Sequence, residues 1–462
     1  MSPMPVSQSD LRGQLGELVL KHQVPGAVVA AWQDGELITA AAGLANLNTG
    51  VPMTVDTAFL TGSITKVWAT TLFMTFVEEG LLDLDVPIVS YAPDIQFGAD
   101  VDVARSLTFR HLVNHSNGVD TSDLFVESRP YPEGAEDYLG PLAQAGKLTE
   151  PGIVSSYNNA GWIVAELVLR RLTGKNFVEH LRERVVGRLG VQRTVFSARE
   201  AMLYRTAIGS FPASDGTPEP TTQFMYPDAW AAPGTVTIIT VEDQIAFLRM
   251  HLADGVLPDG TRLLSHESIQ AMRTPTSPDP TGPDSGFGLG WMYNQHAGTR
   301  VFSHGGGSLG GVAHAQISPE DNFAMASFAN SHIGRPLHDD LVRLLLPSRP
   351  SPLATPAGEI RHDIPLDAFV GKFSRATMRT RITRDSDGLV VHLEGVPEEL
   401  VGARTELQGM VTEFRAAPIS ENTLVSRGEL IGGPQALTFH EKTGDAFQLM
   451  YTGHRLARRA AG

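Results

Sequence analysis

The segment DTAFLTGSITKVWATTLFMTFVEEG, residues 56–80, decides the reading of this chain. From Val67 onward it is apolar nearly all round and ends at Gly80, and between Asp56 and Glu78 it carries only Lys66 as a charge. A helix of that composition belongs inside a domain rather than on its surface. At its head stands Ser63-Ile64-Thr65-Lys66, which at i, i+3 sets a hydroxyl and an amine on one helical face. A serine hydroxyl needs a neighbouring base to act as a nucleophile, and a lysine serves once burial lowers its pKa. A helix N-terminus adds a positive dipole and free N–H groups near a reacting carbonyl oxygen.

Outward from this helix the chain alternates strand and helix signals. Residues 11–22 read as a helix, and GAVVAAW (26–32) and ELITAAAG (36–43) flank Asp34-Gly35 as a hairpin. LTFRHLVNHSNGVD (107–120) reads as a second helical segment, with Asn117-Gly118 as a turn, and 160–172 as a third helix closed by Gly174. TRVFSHGG, GVAHAQIS and NFAMASFAN read as strands, the last two joined by a turn at 319–322. Strands at both ends with helices between predict an α+β domain whose sheet is completed by both termini.

Residues 347–365 carry five prolines and no helical or strand period, the composition of a linker. This gives a catalytic domain at 1–346, a Pro-rich linker at 347–363 and a β-domain at 364–462. In the last, FVGKFS, TRITRDSDGLVVHL, LVSRGEL, ALTFHEK and AFQLMYTG alternate apolar and polar residues, predicting a small antiparallel barrel or sandwich.

The 462 residues include 36 Lys+Arg against 51 Asp+Glu, a formal charge of -15, with no basic stripe, which argues against a nucleic-acid partner. There is no cysteine, so disulfides, thiolate metal sites and a cysteine nucleophile are excluded. No stretch approaches the roughly 20 apolar residues of a membrane span, and the first 20 residues lack a signal-peptide pattern, so a cytoplasmic location is expected.

Two further motifs accompany Ser63-x-x-Lys66: Tyr157-Asn158-Asn159 after the loop Glu150-Pro151-Gly152, and His304-Gly305-Gly306 on a strand. Together, Ser63-x-x-Lys66, Tyr157-x-Asn159 and His304-x-Gly306 resemble, in order and separation, the signatures of class C β-lactamases, serine D,D-peptidases and related esterases and aminopeptidases. FVEEGLLDLDVPI and SYNNAGW resemble that family's flanking text, and the resemblance spans roughly residues 24–345. It implies a β-lactamase/transpeptidase-like fold, acylation at Ser63 and Lys66 as its base. Tyr157 would relay the proton to the leaving group and then activate the second nucleophile, and Asn159 would hold Lys66 and the substrate amide. The N–H groups of Ser63 and Gly307, beside Gly306, would form the oxyanion hole. It also implies a lipocalin-like barrel at the C-terminus, and no cofactor.

One departure stands out, because many β-lactamases carry a lysine where this chain has His304, and a histidine is mostly neutral at pH 7. Without a permanent carboxylate anchor, D,D-peptidase, D-aminopeptidase, esterase and acyltransferase activities stay open beside β-lactamase. Penicillin-binding-protein-type thioesterases, which release and cyclise nonribosomal peptides, are similar in all three motifs and in having a C-terminal β-domain. The substrate expected is a small-molecule or peptidyl acyl donor with water or an amine as acceptor. In similar two-domain enzymes an arginine in a closing segment such as 451–455 faces the cleft, which makes Arg455 a candidate contact for a substrate carboxylate. The alternative is a surface arginine beside Arg458 and Arg459.

Other patterns carry less. Ser308 in Gly306-Gly307-Ser308-Leu309-Gly310 matches a G-x-S-x-G elbow, and residues 305–310 match G-x-G-x-x-G, but a strand follows where both need a helix. His111 and His115, four apart on the expected helix, read as structural histidines rather than metal ligands. Trp68, Trp162 and Trp291 read as core. A catalytically silent binding module is the alternative of another class, and the intact Ser63, Lys66, Tyr157 and His304 argue against it.

Overall fold

Asp34 and Gly35, with φ of 50° and 97°, form the two-residue turn that closes Gly26–Gln33 against Glu36–Asn46. The computed structural model describes residues 6–121, 128–226, 229–278, 284–296, 299–346, 358–395, 411–428 and 435–460. The free edge of Gly26–Gln33 pairs antiparallel with Phe323–Ala329, which pairs with Gly311–Ser318 and then Thr299–Ser308. Both ends of the catalytic region thus meet in one sheet, nine strands wide among the described residues.

Side chains of Gly26–Gln33 alternate between two cores. Val28 and Ala30 face the helical lobe that contains Thr65–Glu78, whereas Ala27, Val29 and Ala31 face Gln8–Lys21 and Arg335–Leu345. Helices on both faces explain why this strand reads as a continuous apolar run. In Thr65–Glu78 every residue from Thr65 to Phe76 is buried, and Trp68 stacks on Phe247 with ring centroids 3.9 Å apart. Trp162 and Trp291 are fully buried as well.

The helix read across 107–120 is much shorter, Phe109–Val113. Asn114 Oδ1 accepts from the Ser116 N–H and hydroxyl, and His115 takes a left-handed φ of 64°, so side-chain bonding replaces the helical ladder. His111 and His115 therefore do not share a helical face. His111 Nδ1 accepts the Thr108 N–H, whereas His115 Nδ1 accepts the Asn158 N–H.

Residues 347–357 of the expected linker lie outside the described residues, as do the last two of LVSRGEL. Beyond them eight antiparallel strands, counted among the described residues, close into a barrel from Gly371–Arg375 to Arg455–Arg459. Segment 380–393 is a hairpin of Met378–Asp385 and Gly388–Gly395. Val411–Ser420 and Arg455–Arg459 are strands that alternation does not announce, one interrupted by Pro418 and the other dominated by arginine. Phe369, Phe373, Phe439 and Phe447 fill the barrel. It docks on the catalytic region through Leu148, Leu449, Tyr451 and Leu456, with Arg458 donating to the Leu148 carbonyl at 2.8 Å.

Candidate active site

Ser63 sits in a single 3-10 turn, Gly62–Ile64, immediately before Thr65–Glu78. Three glycines allow that turn to be pressed between neighbouring backbones. A Cβ on Gly306 would lie 1.8 Å from the Thr61 carbonyl oxygen, one on Gly62 2.3 Å from that of Gly307, and one on Gly234 2.1 Å from that of Gly62. Close approach therefore requires Gly306, whereas a Cβ on Gly307 would meet nothing within 4 Å. The strand Thr299–Ser308 thereby brings the Gly307 backbone against the Ser63 turn.

Lys66 is fully buried, and its Nζ donates to Ser63 Oγ at 2.9 Å and to the Pro233 carbonyl at 2.8 Å. The same Nζ lies 5.0 Å from the centre of the Tyr157 ring and 5.6 Å from that of Trp162. Trp162 thus borders the site although it is core. Ser63, Asn159 and Gly307 line one open cleft with Leu60, Trp230, Pro233 and Gly234. Asn159 occupies the N-cap of Ala160–Thr173.

Tyr157 is reached from several elements. His115 stacks on its ring at 4.3 Å and 26°, the His304 ring is 6.0 Å away, and the Arg455 guanidinium lies 4.8 Å from its centre. Its N–H donates to the His454 carbonyl at 2.7 Å, and Ser156 Oγ accepts the Leu456 N–H at 3.1 Å. Arg455 thus packs against Tyr157 of the catalytic domain, and Arg458 reaches the same domain at the Leu148 carbonyl.

Burial silences the histidines. His304 Nδ1 lies 2.6 Å from the Gly305 carbonyl and therefore carries the proton, while burial and then the Lys66 charge push its pKa down to about 3. A neutral His304 matches the missing lysine of the third motif. Burial and the same lysine hold His115 well below its ordinary value, and its Nδ1 accepts the Asn158 N–H at 2.9 Å.

Sequence reasoning missed the segment 230–235 and the carboxyl behind it. Glu166, 2% exposed and two turns past Asn159, accepts the Ala232 N–H at 3.1 Å, next to the carbonyl that Lys66 uses. Burial pushes its pKa up to about 8, so it is protonated at neutral pH. A glutamate within the apolar run IVAELVL was the available signal. Ser308 ends its strand, and Leu309-Gly310 leads directly into Gly311–Ser318, so no nucleophile elbow forms. Among the described residues no His, Cys, Asp or Glu cluster could hold a metal ion.

Residues 11–346 match the family model described as Beta-lactamase. The chain belongs to the β-lactamase family. Penicillin-binding protein 4 of Amycolatopsis lactamdurans is 30% identical over 346 residues, 74% of this chain and 90% of that protein. The crystal structure of SurE superposes with a TM-score of 0.77 at 25% identity, covering 98% of this chain and 99% of that one. An octameric penicillin-binding protein homologue from Pyrococcus abyssi superposes with a TM-score of 0.65 at 19% identity, covering 98% and 100%. The C-terminal barrel therefore recurs in whole-chain matches. Membership makes the chain an enzyme of the serine hydrolase and acyltransferase type. No helix among the described residues is long and apolar enough to cross a membrane.

Proposed function

We propose that this enzyme carries an acyl group on Ser63, taken from an ester, thioester or amide, and passes it to water or an amine. The observation that carries this reading is the 2.9 Å contact between buried Lys66 Nζ and Ser63 Oγ at an open cleft. Ser63 Oγ attacks the acyl carbon while its one proton passes to Lys66 Nζ and from there through Tyr157 towards the leaving group. The Ser63 and Gly307 N–H groups take the developing oxyanion. Collapse expels the leaving group with a proton from Tyr157, which then accepts one from the incoming water or amine. Asn159 orients the substrate amide.

Acyl donors with a D-configured residue suit this reading. SurE has been crystallised with D-Leu, and a D-amino acid amidase from Ochrobactrum anthropi and a D-aminopeptidase of Gluconobacter oxydans are among the similar proteins. Neutral His304 disfavours a β-lactamase role, because a penicillin-type carboxylate finds no permanent cation there. Arg455, its guanidinium 4.8 Å from the centre of the Tyr157 ring, can offer N–H groups to a substrate carboxylate.

Acyl-enzyme partitioning tests this. D- and L-configured peptidyl esters and thioesters are supplied with and without an amine, and amide product is measured against hydrolysis. We expect turnover of the D-configured donors and a rising amide fraction with amine concentration. Hydrolysis alone at every amine concentration would reduce the enzyme to a plain hydrolase, and absence of turnover on the whole panel would remove the reading.

A further inference from the structure

The barrel reaches the active site through one hairpin tip. Ala446–Thr452 and Arg455–Arg459 are joined by Gly453 and His454, with φ of 56° and 62°, a two-residue turn whose second position strains a non-glycine residue. That turn is docked: its His454 carbonyl takes the Tyr157 N–H at 2.7 Å, and the next N–H but one, from Leu456, reaches Ser156 Oγ. Arg455, held between these two anchors, lies over the Tyr157 ring.

The groups around Tyr157 come from four directions. Lys66 comes from Thr65–Glu78, His115 from the loop after Phe109–Val113, His304 from Thr299–Ser308, and His454 and Arg455 from the barrel. His304 and His115 are buried rings without charge at neutral pH. Among the described residues the Arg455 guanidinium, 4.8 Å from the ring centre, is the cation whose charge does not change in the cycle, whereas Lys66 Nζ, at 5.0 Å, gains its charge with the Ser63 proton. A positive charge at that distance in a partly desolvated site favours the phenolate over the phenol.

We propose that Arg455 is a positioning residue for Tyr157: the barrel supplies a permanent cation that favours the phenolate, the form that accepts a proton, in place of the lysine that the third motif lacks. The inference rests on the proton-relay role proposed for Tyr157 and goes beyond it in making the barrel part of the acyl-transfer site.

The test is the pH–rate profile of acylation for a neutral activated ester, which offers Arg455 no carboxylate. Wild type, Arg455→Gln and Arg455→Lys are compared as full-length proteins, with thermal unfolding to show that each is folded. In Arg455→Gln we expect the rising limb to move to higher pH by up to about one pH unit, with the rate recovering towards the wild-type plateau once that pH is reached. Arg455→Lys should restore most of the shift. A uniform loss at every pH, or an unchanged profile accompanied only by a raised KM for carboxylate-bearing esters, would overturn the proposal and leave Arg455 a structural or substrate-anchoring residue. Labelling of Ser63 by a fluorophosphonate in wild type separates this outcome from failure of the acyl-enzyme reading itself.

Discussion

Ser63 is held by backbone lying against backbone, whereas Tyr157 is held by a histidine ring, a hairpin carbonyl and a guanidinium from another domain. On the first side, glycines at 62, 234 and 306 let three segments pack with no side chain between them. On the second, each contact comes from residues far apart in sequence. In the proposed mechanism, a rigid pocket of the first kind fixes where the oxyanion forms. The second kind would leave the proposed proton relay open to influence from the barrel.

The first way to break this contrast is to remove the proposed nucleophile. Ser63→Ala should lower kcat/KM for an activated ester by about three orders of magnitude or more, with Ser308→Ala close to wild type. Comparable losses in both would mean that the two hydroxyls share the work. Backbone packing is probed next. Gly306→Ala places a methyl on the Thr61 carbonyl and should cost about 100-fold in kcat/KM through displacement of the Ser63 turn. Gly307→Ala, with open space at its Cβ, should keep the wild-type melting temperature.

The buried carboxyl behind the site makes a prediction about stability. Glu166 holds its proton to about pH 8 when folded, against an ordinary carboxylic pKa of 4.5. Its contribution is complete below pH 4.5 and is lost as the pH rises to 8, because the unfolded chain ionises first. Glu166→Gln keeps an acceptor for the Ala232 N–H without the ionisation. Its melting temperature relative to wild type should therefore rise between pH 4.5 and pH 8, and a flat difference would refute the assignment of that proton.

His304 and His338 act in the opposite sense, since burial lowers both to about 3. Their stabilisation is present above the ordinary value of 6.5 and is lost as the pH falls towards 3. His338, whose Nδ1 lies 2.7 Å from Ser327 Oγ, isolates this effect away from the site. The smallest effect concerns His304 as an anchor. His304→Lys should lower KM for carboxylate-bearing substrates several-fold and leave KM for neutral esters little changed.

The same contrast sets what could be read from the sequence. The hairpin at Asp34-Gly35, the buried helix and the residues of the three motifs are written in short local patterns. Distant agreements are not. Pro233 contributes only a carbonyl, which no residue type announces, and His115 contributes from a left-handed turn inside a segment that reads as helix. The docked tip at His454 depends on how two domains meet, and alternation in the barrel says nothing of that. Glu166 alone left a trace, a carboxylate in an apolar helix.

The central claim is that Ser63 is the acylated residue, and peptide mapping of the covalent adduct tests it most directly. The intact protein is incubated with a fluorophosphonate or a β-lactam, digested, and the modified peptide sequenced by mass spectrometry. The account predicts an adduct on Ser63, absent in Ser63→Ala and slowed in Lys66→Ala. An adduct on Ser308 with Ser63 untouched would contradict it.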